Sequence, residues 1–107
     1  MLEMPSPERC ETMAQVRAGV DQIDREMVAL LVRRFAFIEA AARIKGDRAA
    51  VRDERRKAEV IDNVRREARA GGVSEALVAE LWERLVETSI GYEFERFDAL
   101  RVEPSAR

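Results

Sequence analysis

The sequence predicts an all-α protein with three helices per chain, one of them very long, and three observations lead there. Its three prolines, Pro5, Pro7 and Pro104, stand near the ends, so none interrupts a helix between them. Apolar residues such as Val20, Ile23, Met27, Leu31 and Ile38 recur at steps of three and four, the period of one helix face. No stretch alternates apolar and polar residues as a half-buried strand does.

The first helix is predicted from about Thr12, whose hydroxyl can cap it, to about Lys45, where Gly46 and Asp47 offer a stop. A short linker, GDRAA, follows. Asp53 can open or cap a second helix, which carries the stripe Val60, Ile61 and Val64 to about Ala70 before AGG closes it. Ser74 caps a third helix, striped by Leu81, Val86, Ile90 and Phe97, and the tail after Leu100 is expected to fray. The chain reads as one domain over residues 1–107, with a core at about 12–100.

Composition narrows the function. With 47% hydrophobic and 37% charged residues in 107, the chain suits one globular domain and is too apolar for a disordered tail. A net charge of −2 argues against a nucleic-acid or membrane-surface partner, since such proteins usually present a net basic face. One cysteine, Cys10, and no histidine leave no ordinary zinc or haem ligand set, so no metal is expected. The N-terminal stretch MLEMPSPERCETM lacks the basic flank and apolar run of a signal peptide, and no apolar run nears the roughly 18 residues of a membrane span. A cytoplasmic protein is expected.

The first helix is too long for a small domain. About 34 residues at 1.5 Å each make a rod of about 50 Å, whereas a compact domain of 100 residues has a radius of gyration of about 13 Å. Two shorter helices cannot cover an apolar stripe of that length, and an intertwined homodimer is the simplest way to bury it.

Continuing the stripe Ile23, Met27, Leu31 by threes and fours lands on Arg34 and Lys45. Eleven residues apart, these two return to within roughly 20° of each other around the axis, so both are expected to face inward. Arg17, seventeen residues before Arg34, is displaced by about 25 Å and can serve the same pocket only from a second chain. On the second helix Asp53 and Arg56 share a face with Val60 and Val64; on the third, Ser89 and Glu93 share one with Val86 and Phe97. Buried charges need partners. Three or four inward cations against two inward acids leave room for an anionic ligand, ideally a dianion.

The pattern R-x6-D-x9-R-x10-K at Arg17, Asp24, Arg34 and Lys45, followed by VRDERR at Val51 to Arg56 and ETSIGYE at Glu87 to Glu93, resembles the all-helical AroQ-type chorismate mutases. The match runs from roughly Ala14 to Phe97. The opening PERCETMAQVRAGVDQID also resembles the isochorismate pyruvate lyases of that superfamily.

This resemblance implies an intertwined three-helix homodimer and a small dicarboxylate substrate, chorismate or isochorismate. A mutase rearranges chorismate to prephenate through a cyclic, chair-like transition state and needs no cofactor. Arg34 and Arg17 of the partner subunit would grip a carboxylate through their planar forks, with Arg56 helping on the enolpyruvyl side. Lys45 would donate to the breaking ether oxygen. Glu93 takes a position that often holds glutamine; a carboxylate cannot donate, so that role requires Glu93 protonated, a form burial favours. Its other reading is an ion pair with Lys45 in the empty site. Ser89 would bind a carboxylate and Asp53 the ring hydroxyl.

One departure is Lys57, where many mutases carry a glutamate that reads the ring hydroxyl. Asp53 tips the expectation toward mutase over lyase. A non-catalytic dimerisation or metabolite-sensing module would have no need of Arg17, Arg34, Lys45 and Arg56 together.

Overall fold

A computed structural model describes residues 6–102. After a 3-10 turn at Pro7–Arg9 come three α-helices, α1 (Met13–Ile44), α2 (Glu54–Gly71) and α3 (Glu75–Leu100), with a second 3-10 turn at Arg48–Ala50 between the first two. The described residues include no strand. The all-α, three-helix expectation holds, and each predicted helix end lies within about a residue of the observed one. The expected fraying falls largely on residues beyond 102, outside those described.

The helix ends are set by local chemistry. Thr12 and Gln15 form a reciprocal capping box: Gln15 N–H donates to Thr12 Oγ1 at 3.2 Å, and Thr12 N–H to Gln15 Oε1 at 3.1 Å. The Asp53 carboxylate accepts from Arg56 N–H at 3.0 Å and starts α2; the Ser74 hydroxyl accepts from Leu77 N–H at 3.2 Å and starts α3. Gly72, at φ 77°, closes α2 in the left-handed region, and Val73 N–H reaches back to Ala68 O at 2.9 Å. Gly46 is not left-handed, so α1 stops without the glycine cap its sequence suggested.

The chain divides into two compact units between Ala36 and Phe37. In the first, α1 leaves Val20, Ile23 and Met27 each more than half exposed, and none of the described residues is buried.

The second unit holds the core. Ala42, Val51, Val86, Ile90 and Phe97 are buried, with Val60, Ile61, Trp82 and Phe94 packed against them. Val51, at 3% exposure, pins the α1–α2 linker into this cluster. α2 and α3 pack against each other. Among the described residues, no helix is long and apolar enough to cross a membrane.

Candidate functional site

Lys45 follows the last residue of α1, and its N–H still closes the helical bond to Ala41 O at 2.9 Å. Its ammonium lies 2.7 Å from Glu93 Oε2 on α3. The lysine side chain is 29% exposed and the glutamate side chain 7%. The contact is a charge pair whose angle falls short of a well-aligned hydrogen bond. A carboxylate buried this deeply needs such a counter-charge.

The face that carries Glu93 is the one periodicity predicts. Val86, Ser89, Glu93 and Phe97 are all buried on α3, with Trp82 half-buried at the head of the stripe. Ser89 lies one turn before Glu93, 4% exposed. Its hydroxyl donates to Leu85 O at 2.7 Å, the helical back-bond open to a buried serine, so it must turn away from that carbonyl to donate to a ligand.

Asp53 and Arg56 occupy the N-terminal edge of α2, and both are exposed. The Asp53 carboxylate is engaged as the helix cap. Arg56 departs from the inward expectation: its side chain is 63% exposed and pairs at 3.1 Å with Glu59. It sits in the first turn, ahead of the half-buried Val60 and Val64, and a partner three residues on lies on its own side of the helix. Lys45 is thus the cation that meets the buried acid of this unit.

Arg17 and Arg34 belong to the first unit, both on α1. Arg17 is exposed and Arg34 half-buried.

A second polar group lies between the N-terminal end of α2 and the middle of α3. Arg52 grips Glu87 with both prongs, Nη2 to Oε1 at 2.7 Å and Nη1 to Oε2 at 3.1 Å, and also holds Glu54 at 2.7 Å. Lys57 Nζ donates to Glu83 at 2.6 Å and to Glu87 at 2.7 Å. The hydrogen bonds from Arg52, then Lys57, hold the Glu87 carboxyl down at about 2. Its bonds to Glu83, then Glu87, push Lys57 above the usual lysine range. The cation at position 57 is therefore tied to α3 acids 26 and 30 residues away. Periodicity within one helix gives no sign of this, although Glu83 and Glu87 at i, i+4 mark an acidic edge.

Sequence reasoning also missed Arg101, past the end of α3. Its guanidinium donates to Ala42 O at 3.0 Å and Lys45 O at 2.6 Å, and its Cζ lies 3.6 Å from the centroid of the Phe97 ring.

Among the described residues no group of three His, Cys, Asp or Glu is placed to hold a metal ion. What the second unit presents is an ammonium, partly open to solvent, beside a buried carboxylate, with a buried hydroxyl one turn earlier on α3. Such an ammonium can stabilise negative charge developing on a substrate oxygen.

The family profile described as chorismate mutase type II matches residues 16–94. Over 83 residues the chain is 31% identical to the isochorismate pyruvate lyase of Pseudomonas aeruginosa, an alignment covering 78% of this chain and 82% of that one.

Proposed function

Since the chain belongs to the chorismate mutase type II family, the AroQ-type superfamily of helical enzymes, we propose that it is a chorismate mutase, converting chorismate to prephenate. The observation that carries this reading is the Lys45–Glu93 pair, 2.7 Å apart, with its carboxylate buried.

In the rearrangement an ether C–O bond breaks as a C–C bond forms, and negative charge grows on the ether oxygen. Lys45 turns from Glu93 to that oxygen and holds the charge with a full ammonium. In its protonated form Glu93 is a second donor to the same oxygen. Arg34 and Arg17 of the partner subunit bind the carboxylates, with Arg56 and Ser89 completing the grip. Holding the folded, reactive conformer removes rotational freedom before the bonds move. The exposed stripe on α1 supplies the surface for the second chain.

A second reading is favoured by two observations. The Pseudomonas aeruginosa relative is an isochorismate pyruvate lyase, and the Asp53 carboxylate proposed to read the ring hydroxyl is engaged as a helix cap. In that reading the same Lys45 assists cleavage of isochorismate to salicylate and pyruvate.

The deciding experiment assays the purified protein side by side on chorismate and isochorismate, resolving prephenate, salicylate and pyruvate. A higher kcat/KM for chorismate to prephenate supports the mutase. More efficient release of salicylate and pyruvate from isochorismate assigns the lyase and removes Asp53 as hydroxyl reader. No turnover of either overturns both readings.

A further inference from the structure

The C-terminal end of α1 poses an accounting problem that the structure solves in an uncommon way. The last four carbonyls of a helix lack intrahelical partners and carry its negative dipole end. Here no left-handed glycine folds back to satisfy them. The partner comes from 56 to 59 residues further along, where the Arg101 guanidinium donates through Nη1 to Ala42 O at 3.0 Å and through Nη2 to Lys45 O at 2.6 Å. Nη2 also lies 3.5 Å from Arg43 O, and Nη1 donates to Phe97 O at 3.2 Å.

Arg101 is itself fixed. Its planar group stacks on the ring of Phe97, which is only 6% exposed, and the Phe97 carbonyl holds one edge. Phe97 lies one turn beyond Glu93 on the same buried face of α3. That face therefore holds Lys45 at both ends, its ammonium through Glu93 and its carbonyl through Phe97 and Arg101. The segment matched by the family profile ends at residue 94, so Arg101 lies outside it.

We infer that Arg101 is a positioning residue for Lys45: by clamping the final carbonyls of α1 against Phe97, it sets where the Lys45 ammonium points. This rests on the proposed role of Lys45 as donor to the substrate oxygen. Only the five-donor fork of arginine reaches several carbonyls while stacking on an aromatic ring; lysine offers a single point charge.

The test uses the full chain with Arg101→Met and Arg101→Lys, and with Arg48→Ala as control. Arg48 stacks on Phe94 and pairs with Asp98 near the same end of α3 without contacting Lys45. Kinetics are measured on whichever substrate the unmodified protein turns over, well below each variant's melting temperature. Amide hydrogen exchange is read at Lys45 and Gly46. Arg101→Met is expected to lower kcat by about tenfold to a hundredfold, the scale of a misplaced reacting group, with KM changed far less. Exchange at Lys45 and Gly46 should quicken by about tenfold while mid-α3 amides hold. Arg101→Lys should recover part of both effects, and Arg48→Ala should show neither.

An unchanged kcat in folded Arg101→Met, or an equal loss in Arg48→Ala, overturns the inference and makes Arg101 a helix cap only. If Arg101→Met does not fold, Arg101→Lys decides by the same two readouts. Exchange is independent of turnover: an inactive parent protein with faster exchange at Lys45 would sink the enzymatic reading and keep the clamp, whereas unchanged exchange would sink the clamp.

Discussion

The Lys45 ammonium and the Glu93 carboxylate meet at 2.7 Å although 48 residues separate them, the first at the end of α1 and the second in the buried face of α3. With the substrate absent each neutralises the other. In the proposed reaction the same ammonium would turn to the oxygen of the breaking C–O bond.

Lys45→Ala should lower kcat by about 10²–10³, the usual cost of removing one donor to a developing oxyanion. It should also leave Glu93 buried without its counter-charge, so a lower melting temperature is expected alongside. Steady-state kinetics on the folded variant separate the two effects. Activity within a few-fold of the unmodified protein would remove Lys45 from the chemistry.

Glu93 donates only when protonated, so any activity that depends on that donation should fall as pH rises. Glu93→Gln carries a permanent N–H donor and should flatten that profile. The measurement is kcat/KM against pH for both proteins. A flat profile in the unmodified protein would leave Glu93 as the resting partner of Lys45 and nothing more.

Arg17→Ala and Arg34→Ala should each abolish activity while leaving the protein folded. If two chains share each site, mixing the two inactive proteins under conditions of subunit exchange restores one intact site per mixed dimer. Mass spectrometry establishes that exchange occurred. Exchange without any recovered turnover would refute the shared site.

Glu87 titrates in the folded protein at about 2, below an unperturbed glutamate at about 4.3. Its pairs with Arg52 and Lys57 therefore stabilise the fold above about pH 4, and that contribution is lost as pH falls toward 2. Glu87→Gln should melt at a lower temperature near neutral pH, with the gap narrowing through the acid range. Thermal melts in a pH series check this. A gap constant down to pH 2 would mean that the charge contributes nothing.

The helix ends could be read from the sequence because caps are local. Thr12 with Gln15, Asp53 with Arg56, and Ser74 with Leu77 are three residues apart, and the chemistry of each pair suffices. The buried face of α3 was equally legible, since one helical period places Ser89 and Glu93 with Val86 and Phe97. Arg56 was not, because periodicity names a face but cannot say where along a helix neighbouring elements cease to cover it. In the first turn of α2 that cover is missing, and Arg56 meets solvent and Glu59.

By itself, then, the sequence determined three helices, their caps and the stripe that buries Glu93, all consequences of interactions within a turn or two of chain. The sequence offered the Glu93–Lys45 ion pair as one of two readings, and the tertiary structure chose it; only the tertiary structure decided that Lys57 would be tied to Glu83 and Glu87, and that Arg101 would close the end of α1 in place of a glycine. Those contacts join residues 26 to 59 positions apart. Such pairings depend on how helices pack, and packing follows from the fit of whole faces rather than from the spacing of residues along any one of them.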